Sequence, residues 1–172
     1  FWRWKGVLGE GVDIPALTAH IDLFNTFSEL CGADIPGDIQ QIDGRSMLPL
    51  LKDPKAPWKD RLLYTHKGRW EKGADPNLSK FKSCAVRSQR WRFVNNEELY
   101  DLAVDPYEMT NVIEKYPSVV AEFRKAYDQW WEETLPLMVN EEVPFAPHQP
   151  QTVRYEKQLK DKGIPDWEVP TL

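Results

Sequence analysis

Residues 83–102 read Ser-Cys-Ala-Val-Arg-Ser-Gln-Arg-Trp-Arg-Phe-Val-Asn-Asn-Glu-Glu-Leu-Tyr-Asp-Leu. Three short runs rich in β-branched and aromatic residues, 83–87, 91–95 and 98–102, are separated by Ser88-Gln89-Arg90 and Asn95-Asn96-Glu97. Connections this short join neighbouring antiparallel strands, so the segment predicts a meander. Working back toward the N-terminus, residues 61–66 predict a fourth strand, separated from the meander by a long loop over 67–81. A small sheet of this size needs an apolar cover. The next segment provides one: Pro117 opens a helix in which Val119, Val120, Phe123, Tyr127, Trp130 and Trp131 share one face, with Glu122, Arg124, Asp128 and Glu132 elsewhere. Between sheet and helix, Asp105-Pro106-Tyr107-Glu108 carries a capping carboxylate and a proline, which starts a turn or short helix.

Further upstream, residues 1–5 (Phe-Trp-Arg-Trp-Lys) fit a short strand, followed by a loop containing Gly6, Gly9 and Gly11. Thr18 is placed to cap a helix whose apolar positions Ile21, Phe24, Phe27, Leu30 and Cys31 recur at steps of three and four, with Gly32 to end it. Met47, Leu48, Leu50 and Leu51 form an apolar turn closed by Asp53-Pro54. The last part of the chain, 136–172, has six prolines and little periodicity apart from a polar stretch over 155–162, and is expected to wrap along the surface.

At 172 residues, with 41% apolar and 28% charged residues, the chain has the make-up of one folded domain with an appended tail. No run approaches the roughly 18 apolar residues of a membrane span. The opening Phe-Trp-Arg-Trp, without Met, reads like an apolar segment of something longer. Cys31 and Cys84 are too few and too far apart to define a disulfide framework or a metal site.

The net charge of −5 is unevenly distributed: residues 55–94 hold 11 of the 22 Lys and Arg but only Asp60, Glu71 and Asp75 among the acids. Clustered cations concentrate anionic ligands, so phosphate, sulfate or carboxylate binding is expected there. Within it His66-Lys67-Gly68-Arg69-Trp70 sets an imidazole, an ammonium, a guanidinium and an indole within five residues, a combination suited to a sulfated or phosphorylated sugar. Lys80, Lys82, Arg87, Arg90 and Arg92 add a basic strand pair. A pI near 5.3 and the lack of a binding motif argue against nucleic acid. No nucleophile lies beside a base in the sequence, and the three histidines are isolated.

Several phrases together resemble a known family. Thr18-Ala-His-Ile-Asp-Leu-Phe-Asn-Thr26, Leu30-Cys-Gly32 and Asp43-Gly-Arg-Ser-Met-Leu-Pro-Leu-Leu51 are similar to the late core of type I sulfatases, members of the alkaline phosphatase superfamily. Ala85-Val-Arg-Ser-Gln-Arg-Trp-Arg-Phe93 and Glu98-Leu-Tyr-Asp-Leu-Ala-Val-Asp-Pro-Tyr-Glu-Met-Thr-Asn-Val112 resemble their C-terminal subdomain. The resemblance covers residues 1–133 and implies an α/β parent fold, α+β in this portion: 1–54 the end of the catalytic core, 55–135 an antiparallel-sheet and helix subdomain, 136–172 the tail. It also implies hydrolysis of sulfate esters, of a sulfated carbohydrate or an aryl sulfate, by a formylglycine beside a calcium ion, in a periplasmic or secreted setting.

That formylglycine arises from the Cys or Ser of a Cys/Ser-x-Pro-x-Arg motif, which neither Cys31-Gly-Ala nor Cys84-Ala-Val matches. The resemblance therefore implies that nucleophile and calcium belong to a missing N-terminal core and that this portion alone is inactive, with no catalytic or metal residues of its own. His66, Lys67, Arg69, Trp70 and Arg87 are then candidates for the substrate rim. Uncovered apolar surface would favour self-association. The other readings open at this point are a non-enzymatic anion- or carbohydrate-binding module and a phosphoesterase of the same superfold.

Overall fold

The computed structural model describes residues 1–35, 37, 39, 41–67, 70–138 and 149–164. Two compact units divide it, Phe1–Pro136 and Leu137–Leu172. In the first unit, helix α1 spans Asp22–Cys31 and α2 spans Leu48–Lys52; strands β1 (Leu63–His66), β2 (Cys84–Arg87), β3 (Trp91–Val94) and β4 (Glu98–Asp101) follow, then α3 (Pro117–Met138).

The strands form one antiparallel sheet in the order β1-β2-β3-β4, as the meander predicts. Asn95 and Asn96 both adopt left-handed backbone (φ 50° and 62°), giving the β3–β4 hairpin the turn geometry that matches strand twist. Register sorts the side chains. Tyr64, Val86, Phe93 and Leu99 align across the sheet on one face, where Phe123 of α3 meets Phe93 edge-on at 6.4 Å. Val86, Phe93 and Leu99, with Val120, Phe123, Tyr127 and Trp131 of α3, are at most 7% exposed. The helix face read from 3.6-residue spacing is thus the cover of the sheet. Burying one such side chain contributes about 1.5–3 kcal/mol.

The N-terminal 60 residues are organised by a different principle. Asp22 and Thr26, both 0% exposed, hold together three segments that share no ladder. The Asp22 carboxylate accepts from the Ala19 N–H (2.7 Å), the Arg45 N–H (2.9 Å) and Arg61 Nη1 (2.7 Å), with Arg61 Nη2 completing a two-pronged ion pair. One turn on, the Thr26 hydroxyl donates to the Asp22 carbonyl and accepts from the Met47 N–H at 2.9 Å. Trp58 stands beneath the guanidiniums of Arg45 and Arg61, 5.9 and 5.8 Å from its ring centre, and donates its indole N–H to the Leu17 carbonyl. Gly44 makes this approach possible: a Cβ there would overlap the Ile21 carbonyl and lie 3.2 Å from Asp22 Cα.

Several expectations need correction. Residues 1–5 form no strand; they pair with no other strand among the described residues, and the Val7 and Leu8 N–H groups fold back onto the Trp4 carbonyl instead. Thr18 does not cap α1: the helix starts after Ile21 without a side-chain cap, and the Asp22 carboxylate accepts from the Ala19 N–H ahead of it. Of the two readings for Asp105-Pro106-Tyr107-Glu108, a turn or a short helix, the structure has the turn, with Glu108 at φ 57°. Helix α3 runs on through Pro136 to Met138. In the second unit, Pro150–Lys162 is a 13-residue helix, α4, where only a polar stretch was expected; Pro150 at its first turn and Gly163 after its end are the signals that mark it.

Burial alone raises the Asp22 pKa, but the Arg61 guanidinium and the Arg45 and Ala19 N–H groups outweigh it and hold the carboxyl below its ordinary value. A depressed folded-state pKa means that stability is present above the unfolded value, about 3.9, and is lost as pH falls through the folded value. Thermal melts across pH 2–7 should show this acid limb, and Asp22→Asn should flatten it while lowering stability by about 3–5 kcal/mol at neutral pH, since Arg61 is left buried and unpaired. Gly44→Ala should destabilise comparably in chemical denaturation, because the clash is with backbone. A neutral Gly44→Ala would show that α1 and the 43–47 segment are not locked together.

Candidate functional site

The basic loop after β1 is tied to α3 by aromatic side chains. His66 lies on the sheet face that α3 covers, paired in register with Cys84. Its Nε2–H donates to the Ser79 carbonyl at 2.8 Å, and its ring meets the edge of Trp131 at 5.0 Å. Trp70 meets the same indole at 6.3 Å. Trp131, 1% exposed, donates its own N–H to Asn77 Oδ1 at 3.1 Å, and Asn77 is held in a short 3-10 turn, Pro76–Ser79, by the Asp75 carboxylate. Tyr127 donates to the Lys80 carbonyl, Phe81 packs on Tyr127, and Lys80 pairs with Asp128 at 2.6 Å. Tyr64 and Trp130 stack nearly parallel, 5.2 Å apart. Each buried aromatic thus places its polar tip on loop backbone or an amide.

The structure brings His66 and Trp70 together, both against Trp131, while Lys67 is exposed at the end of β1 and donates its N–H to the Ser83 carbonyl. Gly68 and Arg69 lie outside the described residues. Arg87 is elsewhere: in register with Leu63 and Arg92, it projects from the opposite face of the sheet. The five residues therefore do not form one cluster. Sequence reading set Arg92 beside Arg87 in the basic strand pair but missed Tyr100, which counting alternate residues across the two hairpins places in the same row, and Glu108, which pairs with Arg92 from the loop after β4.

The most distinctive phrases hold structure. Asp101, 4% exposed, accepts from Arg90 Nε and Nη2 at 3.0 and 2.7 Å; Arg90 keeps its carboxyl below the ordinary value. Asn111 Oδ1 accepts from the Leu99 and Ile113 N–H groups, finishing β4. Cys84 is buried, which pushes its thiol pKa up and leaves it a poor nucleophile. Among the described residues no three His, Cys, Asp or Glu side chains gather as a metal site. These side chains can pair anions, stack on rings and position backbone; they do not assemble a nucleophile with a base.

Comparison with known proteins agrees with this division of labour. Arylsulfatase K of Rattus norvegicus is 24% identical over 131 residues, covering 66% of this chain and 21% of that protein. The N-acetylglucosamine-6-O-sulfatase of Bacteroides thetaiotaomicron is 27% identical over 141 residues, 77% of this chain and 24% of that protein. The chain therefore spans about a fifth to a quarter of the length of these curated relatives. The crystal structure of Ps i-CgsB in complex with k-i-k-neocarrahexaose shares the fold, with a TM-score of 0.62 at 20% identity over 93% of this chain and 33% of that one. Residues 1–133 match the family model described as N-sulphoglucosamine sulphohydrolase, C-terminal, and the chain belongs to that family of sulfatase C-terminal domains.

Proposed function

We propose that this chain is the C-terminal portion of a sulfatase whose substrate is a sulfated carbohydrate or an aryl sulfate, and that it contributes scaffold and substrate-rim residues while the nucleophile belongs to the rest of the enzyme. The observation that carries this reading is the sidedness of α1. Its polar side, Asp22 and Thr26, is buried against the 43–47 segment and Arg61, whereas Ile21, Leu23, Phe24 and Phe27 are 38–50% exposed. Trp4, 49% exposed, and Trp2, 5.4 Å from Phe27, extend the apolar surface. Such a surface marks an interface. The occupant in this reading is a sulfatase core, and the chain's span of only about a fifth to a quarter of its relatives' length supports it.

Formylglycine and calcium do not fit the residues described: neither cysteine stands in Cys-x-Pro-x-Arg, and no group of three metal-binding side chains forms among the described residues. What this chain offers is positioning. The Asp22–Arg61 pair fixes α1, hence the face toward the core; the sheet and α3 fix His66 and Trp70; Lys67 and Arg69 add positive charge in the same loop for the sulfate of a bound ester. The names of the relatives, an N-acetylglucosamine-6-O-sulfatase and arylsulfatases, support sulfated sugars and aryl sulfates as the substrate class.

Purified chain incubated with 4-nitrophenyl sulfate should release no nitrophenol. A rate proportional to chain concentration, after removal of contaminating enzymes, would overturn the reading. Sedimentation should show self-association above the 20.1 kDa monomer mass, and Leu23→Asp with Phe24→Asp should return it to monomer. A concentration-independent monomer for the unaltered chain would count against an interface at α1.

A further inference from the structure

The face of the sheet turned away from α3 presents two rows. Leu63, Arg87, Arg92 and Tyr100 lie side by side across the strands, and Thr65, Ala85, Val94 and Glu98 form the next row. Because the Ser88 N–H donates to the Trp91 carbonyl at 2.8 Å, the adjoining pair, Arg87 and Arg92, is of the non-hydrogen-bonded type in which facing side chains come closest. Like charges in that position repel and destabilise the pairing.

The chain answers only half of this repulsion. Glu108, held at a left-handed φ of 57° in the loop after β4, pairs with Arg92. Glu98 accepts from the Tyr100 hydroxyl at 3.0 Å. Both acids on this side are thereby engaged, and burial, then Glu98, raise the Tyr100 pKa, so its hydroxyl stays a donor. The Arg87 side chain is exposed and has neither a hydrogen bond nor an ion pair among the described residues. Two guanidiniums face one carboxylate. Leu63 and Ala85 beside Arg87 carry no competing polar group, and the rings of Tyr100 and of the 84%-exposed Tyr107, next to Glu108, offer apolar faces with polar tips.

We propose that Arg87, with Arg92 beside it, binds an oxyanion of an acidic saccharide, a sulfate or carboxylate held two-pronged by the Arg87 guanidinium, on the open face of the sheet. This site is on the face opposite His66 and Trp70. It rests on the sulfatase reading only for the choice of a saccharide over a protein carboxylate.

The test is a titration of the chain, isotopically labelled at arginine, with a heparin-derived disaccharide bearing N- and 6-O-sulfates, followed at the Arg87 Nε–H signal. A saturable shift is expected, weaker with the unsulfated disaccharide. Arg87→Gln should lower affinity about tenfold, the worth of a charge-assisted pair, and Arg87→Lys should recover only part of it because the fork is lost. Lys160→Gln in α4, an equal change of net charge, should leave affinity unchanged. The proposal is overturned by equal binding in Arg87→Gln, by an equal loss in Lys160→Gln, by a shift that never saturates, or by a hexaglutamate peptide binding as tightly as the sugar. A failed titration alongside turnover by the chain fused downstream of a sulfatase core would remove the site and leave the sulfatase reading standing.

Discussion

A single buried ion pair organises the first third of the chain. Asp22 on α1 and Arg61 just before β1 are 39 residues apart, and their meeting brings the segment over 43–47 between them, with Gly44 pressed on the start of α1 and Trp58 under both arginines. Charges buried so deeply survive only when hydrogen bonds complete them, and two backbone N–H groups do so here. The phrases around Asp22 and Asp43-Gly-Arg-Ser are thus two halves of one clasp. It also orients α1, so that the apolar side is directed outward.

The sheet and α3 rely on apolar burial instead, with hydrogen bonds at the periphery. Aromatic residues of α3 fill the space over β1 and β2, and their N–H and O–H tips pin down the loop that leads back into β2. The two faces of the sheet therefore have different tasks. One is consumed by packing, and His66 and Trp70 are drawn into it; the other carries Arg87 exposed beside the Arg92–Glu108 pair.

Regular periodicity was readable; long-range polar contacts were not. The alternating runs of the meander and the stripe from Val120 to Trp131 point to sheet and cover because each side chain meets neighbours set by local geometry. The stripe Ile21, Phe24 and Phe27 has equally good helical spacing, yet its opposite side is buried, since the energetically decisive partner, Arg61, is distant in sequence. Residues 1–5 have strand-like composition but no ladder to join. His66, Lys67, Arg69, Trp70 and Arg87 were grouped by charge and proximity along the chain, and the two-residue alternation of strands places Arg87 on the far side from His66. The Glu98 to Asn111 phrase looks chemically rich, but its carboxylate and amide hold Arg90 and the end of β4.

Strand order in this sheet follows chain order, and the β2–β3 and β3–β4 connections are a few residues long. Almost all of the chain entropy lost in pairing those three strands is local, which is the condition for rapid assembly. Pairing within residues 84–101 closes only short loops, whereas the Asp22–Arg61 clasp must close one of 39 residues. Pairing in the meander is thus set locally, and the clasp is the long-range step that joins α1 and the segment over 43–47 to the start of the sheet.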